Sequence, residues 1–263
     1  MMNIQKYVRA QSLEEAWQLN QSRRNRVIGG MIWLKMSSAS ISTAIDLCDL
    51  ELNAIDETDE AFRIGAMVTL RDIEKHASFN AYTCGAAADA VKDIIGVQLR
   101  NMATVGGSIF GRFGFSDVLT LFLAMDCYVE LYKGGIVPLE QFAAMERDRD
   151  ILVRLIVKKG GGKFAYQAMR NSRTDFPVLT CAAVQREGKV FAVVGARPRN
   201  AERYDGSGLF DGGVTEEAAG AFGEQVAAEA AFGSNSRAGG DYRRKVAAVL
   251  VRRAVLALKE QEG

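Results

Sequence analysis

A single histidine, His76, is all that 263 residues supply, so chemistry that needs several imidazoles, as metal ligands or as a paired acid and base, is excluded. Cysteine is scarce as well. Cys48, Cys84, Cys127 and Cys181 stand far apart with no C-x-x-C pair, which leaves no case for a zinc site or for a cluster held by this chain alone. They lie in apolar stretches and are expected to be reduced and packed as small hydrophobes. An excess of one charge is missing too: 33 Lys and Arg face 32 Asp and Glu, a net charge of +1, so neither nucleic acid nor an anionic membrane is expected as a partner. No apolar run approaches the roughly 20 residues of a membrane span. The opening "MMNIQKYVRAQSLEEAW" lacks the apolar centre of a secretion signal, and a cytoplasmic protein is expected. What is present is ordinary: 48% hydrophobic and 25% charged residues, enough to bury a sizeable core.

The patterning mixes periods of 2 and 3.6. A strand (Ile4–Val8), a helix (Leu13–Asn20) and the short strand "RVIGG" open the chain. "FRIGAMVTLRDIEKH" reads as a strand, then Thr69 as N-cap of a helix. His76 falls at the end of that helix, where a positive side chain complements the helix dipole. "FNAYTCGAAADAVKDII" is an Ala-rich helical stretch, "DVLTLFLAMDCYVELYKGG" passes from helix to strand, and "DILVRLIVKK" is another strand. "KGGGKF" has no earlier glycine at Walker spacing and places Phe164 after Lys163, so it reads as a boundary or a hairpin turn rather than a phosphate loop. Beyond it, "KFAYQAM" and "VLTCAAVQREGKVFAVVGARP" read as an antiparallel sheet turning at Glu187–Gly188. Helices over about 215–232 and 241–260 end the chain, an α+β pattern. In the last helix Val246, Val249, Leu250 and Val255 form the apolar stripe, which puts Arg243, Arg244, Lys245, Arg252, Arg253 and Lys259 mostly on the opposite, solvated face.

Two segments share one design. "RVIGGMIWL" and "NMATVGGSIFG" each carry Gly-Gly after a short apolar run, where missing Cβ atoms let backbone N–H groups approach an anionic oxygen. Either pair alone reads as a tight turn. Together they suit the two sides of one pyrophosphate, and neither has the G-x-G-x-x-G spacing of a Rossmann site.

These residues carry a resemblance. "VIGGMIWL" is similar to an A-G-G-x-x-L turn, and "VQLRNMATVGGSIFGRFGFSDVLTLFLAMDCYVEL" follows the pattern I-R-N-x-A-T-x-G-G-N-I…S-D-L-x-P-x-L-x-A-L-x-A without a gap. "YQAMRNSRTDFPVLTCAA" and "DYRRKVAAVLVRRAV" resemble the opening strand and closing helix of a C-terminal domain. All four belong to the FAD-binding (medium) subunits of the molybdenum hydroxylases, the xanthine dehydrogenase and carbon monoxide dehydrogenase flavoprotein family. The resemblance implies an α+β fold. Residues 1–160 would form a vanillyl-alcohol-oxidase-type (PCMH-type) FAD-binding domain of two α+β subdomains, about 1–55 and 56–160. Residues 161–263 would form a small C-terminal domain of antiparallel sheet plus helices, like that of CO dehydrogenase flavoprotein.

Carried over by motif, Ile28, Gly29, Gly30, Met31, Ile32 and Leu34 would line one side of FAD, and Thr104, Gly106, Gly107, Ser108 and Ile109 the other. Ser116 and Asp117 would reach the adenosine or ribityl end, and Leu152 would lie near the flavin. No catalytic residue and no metal ligand is assigned to this chain. The molybdenum cofactor would sit on a large subunit and [2Fe–2S] clusters on a small one, both partners in a hetero-oligomer, with electrons leaving this FAD for NAD⁺ or another acceptor. Departures from the pattern are Met31, Ile32 and Ser108 at the phosphate turns, Thr120 for a proline, and Ala168 where relatives carry a lysine near the flavin, a charge that Arg170 or Arg173 would have to replace. Gly111, Arg112 and Phe113 are bulkier and more basic than the usual small polar residues. Two alternatives stay open: a self-contained flavin oxidoreductase with Tyr166 or Tyr204 handling a proton, and a flavin-free scaffold subunit.

Overall fold

The computed structural model describes residues 2–262. Strand β1 (Asn3–Arg9) leads to helix α1 (Leu13–Asn20). Ser12 caps α1, its Oγ accepting from the Glu15 N–H at 3.1 Å while the Glu15 carboxylate reaches back to the Gln11 N–H at 2.8 Å. Strands β2 (Arg26–Ile28), β3 (Ser40–Asp46), β4 (Ile55–Glu57) and β5 (Ala61–Gly65) follow. Short helices come next: α2 (Leu70–Lys75), α3 (Ala77–Tyr82), α4 (Ala86–Lys92), α5 (Val97–Arg100), α6 (Val105–Phe110) and α7 (Asp117–Leu123). Then come β6 (Cys127–Leu131), β7 (Gly135–Pro138), α8 (Leu139–Ala144) and β8 (Leu152–Lys158). The chain closes with β9 (Lys163–Arg170), β10 (Pro177–Arg186), β11 (Lys189–Gly195), β12 (Glu202–Asp205), α9 (Glu216–Glu229) and α10 (Gly240–Lys259). Thr69 caps α2 as its sequence suggests: its Oγ1 accepts from the Asp72 N–H and the Asp72 carboxylate accepts from the Thr69 N–H, each at 3.1 Å. No described helix is long and apolar enough to cross a membrane.

These elements group into two compact units. One holds the chain up to Asp72, Val97–Gly111 and Cys127–Lys159; the other holds Ile73–Gly96, Arg112–Asp126 and everything from Gly160. In the first unit β1 and β2 flank β3, both parallel to it, and β4-β5-β8-β6-β7 form an antiparallel sheet. Ala16 of α1, Ile45 of β3 and Ile151 and Val153 of β8 and its approach share one core. A smaller cluster unites Ile28 with Ile41 and Ala44, and the half-buried Met31 and Leu34 pack against it. In the second unit the sheet runs β12-β11-β10-β9. Alternate residues of β10 (Leu179, Cys181, Ala183) and β11 (Val190, Ala192, Val194) share a face, which meets Phe222 and Val226 of α9 and Leu250, Val251 and Leu258 of α10. Full burial of such side chains stabilises by about 1.5–3 kcal/mol each. Glu187 and Gly188 both have positive φ, 51° and 75°, the backbone that a two-residue hairpin requires.

The structure corrects several readings. His76 does follow the last residue of α2, but it is also the N-cap of α3, its Nδ1 accepting from the Phe79 N–H at 3.2 Å. The Ala-rich stretch is two helices, broken where Cys84 and Gly85 take positive φ. Residues around "KGGGKF" form no hairpin, because β8 and β9 belong to different sheets. Cys127 and Cys181 are buried as expected, but Cys48 and Cys84 are exposed; none of the four forms a disulfide among the described residues. On α10, Val249 faces solvent and Arg243 is fully buried. Its guanidinium donates to the carbonyl oxygens of Val178, Gly233 and Ala238 and to Asn235 Oδ1. Burial lowers the Arg243 pKa from its ordinary value, and the charge of Arg237 adds to that.

Candidate functional site

The glycine pair that follows β2 is placed by its neighbours. Ile28, Met31 and Leu34 hold the turn onto Ile41 and Ala44, and Met31 takes a φ of 59°, a left-handed conformation that a side chain tolerates only where packing enforces it. The segment Met102–Thr104 is pressed against the turn. A Cβ added at Gly30 would lie 1.7 Å from the Met102 carbonyl oxygen, and one at Gly29 would lie 2.6 Å from Thr104 Oγ1. Gly30 is therefore demanded by the approach of a second backbone and Gly29 by the Thr104 side chain, neither by a positive φ.

Among the described residues, nothing accepts a hydrogen bond from the backbone N–H of Gly29, Gly30, Met31 or Ile32. Ile32 is buried and the other three are half-buried. Unpaired amides in such a place are costly, so four consecutive donors require acceptors from outside the chain. A diphosphate offers a row of charged oxygens suited to that task, and the cradle fits the phosphate part of a dinucleotide cofactor.

The second pair is built differently from the expectation. No strand precedes it: α5 and a turn do, and Thr104 forms an isolated bridge with Thr69. Gly106 and Gly107 lie inside α6, capped by Thr104, whose Oγ1 accepts from the Gly107 N–H at 3.1 Å. The amides are used within the protein: Val105 donates to Val68 O, Gly106 to Ala66 O and Ser108 to Thr104 O. Ser108 Oγ also donates to Thr104 O at 2.9 Å, and Ile109 is buried. Gly106 is required because its Cβ would meet Ala66 O at 2.6 Å. This turn buttresses the first, and its free amide donors are few. Leu152, the first residue of β8, is buried opposite Leu131 of β6.

Ser116 and Asp117 belong to the second unit. Ser116 caps α7, its Oγ accepting from the Leu119 N–H at 3.1 Å. Asp117 is buried, and its Oδ1 accepts from Tyr166 Oη at 2.6 Å and from the Arg170 guanidinium. Burial pushes the Asp117 pKa up to about 6, against the opposing pull of Arg170 and Tyr166. Tyr166 is raised well above its ordinary value, by burial first and then by the Asp117 charge. Arg170 also donates to Asp175 O at 2.7 Å, and Arg173 pairs with Asp93 at the surface. Ala168 stands opposite Thr180 in the β9–β10 pair. Sequence reasoning found Asp117 but not Tyr166 and Arg170 as its partners; the three are brought together by packing, with no local spacing to announce it. Among the described residues no three His, Cys, Asp or Glu side chains are grouped to hold a metal ion.

Comparison with known proteins gives the geometry a context. Residues 2–159 match the family described as the FAD binding domain in molybdopterin dehydrogenase. The uncharacterized protein YgfM of Escherichia coli K12 is 27% identical over 188 residues, 70% of this chain and 71% of its own. Among solved structures, a carbon monoxide dehydrogenase from Hydrogenophaga pseudoflava matches with a TM-score of 0.86 at 23% identity over 97% of both chains. Quinoline 2-oxidoreductase from Pseudomonas putida 86 matches with a TM-score of 0.85 at 18% identity, again over 97% of both. The structural likenesses establish the expected α+β fold across the whole length. With 158 of its 263 residues inside the family match, the chain belongs to the family of FAD-binding domains in molybdopterin dehydrogenases.

Proposed function

We propose that this chain is the FAD-carrying electron-transfer subunit of a molybdenum hydroxylase complex. A small subunit with [2Fe–2S] clusters would deliver electrons to it, a large subunit with the molybdenum cofactor would oxidise the substrate, and NAD⁺ or another acceptor would take the electrons away. Bound FAD supplies the exchange between one-electron and two-electron redox partners. The observation that carries the reading is the run of four amides at Gly29–Ile32 that have no acceptor among the described residues, inside the segment that matches the FAD-binding family.

The chain's own residues bind and orient. On this reading the Gly29–Ile32 amides hold the diphosphate, and Ile28, Met31 and Leu34 fix that turn in advance, which lowers the entropy lost on binding. Thr104 and Gly106 keep the buttress in place. Ser108, Ile109 and Leu152 would supply lining. Met31 and Ile32 bring no side-chain donor to the phosphates, so the grip rests on backbone amides. Neither Arg170 nor Arg173 is spare to replace the lysine missing at Ala168, since both are paired with carboxylates.

The test is to recover the chain from its natural source through an affinity tag. The proposal expects an iron–sulfur subunit and a molybdopterin-binding subunit in stoichiometric amount, and a flavin band that bleaches when the complex's substrate is added. A chain recovered alone, or a complex whose flavin stays oxidised while the clusters are reduced, overturns it. Bleaching by NADH would identify a nicotinamide acceptor.

A further inference from the structure

The loop between α1 and β2 gathers positive charge with no negative partner. Arg149 reaches it from the middle of the sequence, donating through Nε to Asn20 O and through Nη2 to the carbonyl oxygens of Ser22 and Asn25. Arg26 donates through Nη1 to Arg23 O at 2.6 Å and to Asn25 O at 2.8 Å. Two guanidinium groups thus converge on one carbonyl oxygen, that of Asn25. Arg23, whose charge acts on Arg149, and its neighbour in sequence Arg24 are exposed. None of these four arginines forms an ion pair among the described residues. The acids that flank Arg149 in sequence keep their charge but bond to backbone amides and not to these arginines: Asp150 accepts from the Lys133 and Gly134 N–H groups, and Asp148 from the Asp150 N–H.

Carbonyl dipoles satisfy hydrogen bonds but do not cancel four full charges. Partial burial lowers the Arg149 pKa from its ordinary value, and the charges of Arg26 and Arg23 lower it further. The net charge of the whole chain is only +1, so this is a local concentration. The bonds to the loop also leave donors over: Nη1 of Arg149, and Nε and Nη2 of Arg26, make no bond inside the described chain. Arginine in place of lysine at all four positions supplies planar forks, which match the oxygens of a phosphate. A single carboxylate would leave most of the charge unbalanced, whereas a phosphate or diphosphate brings two or more negative charges to one place.

We propose that Arg23, Arg24, Arg26 and Arg149 form a binding site for a phosphate-bearing ligand, separate from the amide cradle at Gly29–Ile32. Arg149 and Arg26 are held ready by the loop carbonyls, and Arg23 and Arg24 close on the ligand from solvent. The ligand's phosphate is either free or part of a nucleotide, and the assay below separates the two.

The experiment is calorimetric titration of the full chain, saturated with FAD, with inorganic pyrophosphate and with ADP, using citrate and sodium chloride at matched ionic strength as controls. Arg23→Gln/Arg24→Gln is the variant: neither side chain donates a bond inside the described chain, so its melting temperature should match that of the parent. Pyrophosphate is expected to bind the parent chain and to bind the variant about tenfold more weakly, since each exposed charge pair contributes up to about 1 kcal/mol. Tighter binding of ADP than of pyrophosphate would assign the phosphate to a nucleotide; equal or weaker binding would assign it to the free anion. Restoring charge with Arg23→Lys/Arg24→Lys should recover only part of the affinity. Equal binding by parent and variant, or citrate binding as tightly as pyrophosphate, overturns the proposal. If the chain takes up no FAD, the FAD reading fails by itself, and the comparison of parent with variant still reports on the arginines.

Discussion

Replacing Gly30 with alanine puts a methyl group 1.7 Å from the Met102 carbonyl oxygen, 2.3 Å from its carbon and 2.9 Å from the Ala103 nitrogen. All three are backbone atoms, so no side-chain rotation relieves the clash. Ordinary carbon contacts start near 3.5 Å, and the two segments must separate by more than about 1 Å. Overpacking that moves backbone costs up to about 3 kcal/mol, which for a domain of this size lowers the melting temperature by about 6–12 °C. Separation also displaces the Gly29–Ile32 amides, and FAD affinity should fall by about tenfold or more, the equivalent of one good charge-assisted hydrogen bond. Gly107→Ala is the control: its nearest neighbour would be Thr104 Oγ1 at 3.1 Å, and alanine inside α6 gains about 0.5–1 kcal/mol of helix stability. Thermal melts and fluorescence titration with FAD of both variants decide the matter. A Gly30→Ala chain that melts with the parent and binds FAD equally well would refute the reasoning.

Three further outcomes are expected. Asp117 has a folded pKa of about 6 against 3.8 unfolded, so the folded chain takes up the proton first; its contribution to stability is complete below 3.8 and is lost as pH rises through about 6, up to about 3 kcal/mol in all. Melting temperatures across that window should show this slope in the parent and not in Asp117→Asn. Arg243→Met should cost about 3–5 kcal/mol in urea unfolding, as it orphans the carbonyls of Val178, Gly233 and Ala238 in the core of the second unit. His76→Ala should cost about 1 kcal/mol by the same assay through the lost cap at Phe79, and His76→Asn should restore it.

The fold was legible where one rule dominates. Two apolar runs around a turn mark β10 and β11, the Thr69 cap marks α2, and the Glu187–Gly188 turn marks the hairpin. The misreadings come from residues whose partners are distant in sequence. Three basic side chains early in α10 read as a solvated face, yet Arg243 falls in line with Ala247, Leu250, Ala254 and Leu258, and its acceptors are loop carbonyls and one asparagine that no sequence pattern displays. His76 read as the end of one helix because the start of the next, only one residue on, has an ordinary composition. At the site, the glycine pairs were visible and their unequal use was not: every residue but proline has an amide, and only the packing of Met102–Thr104 and Ala66 shows which amides are spent.

The central claim is that the Gly29–Ile32 amides hold FAD. Nitrogen-15-edited NMR of the labelled chain during an FAD titration addresses it residue by residue. The account predicts large downfield shifts of the Gly29, Gly30, Met31 and Ile32 amide protons as new hydrogen bonds form, with smaller changes at Gly106 and Gly107. Amides of Gly29–Ile32 that stay unmoved at saturating FAD would contradict it.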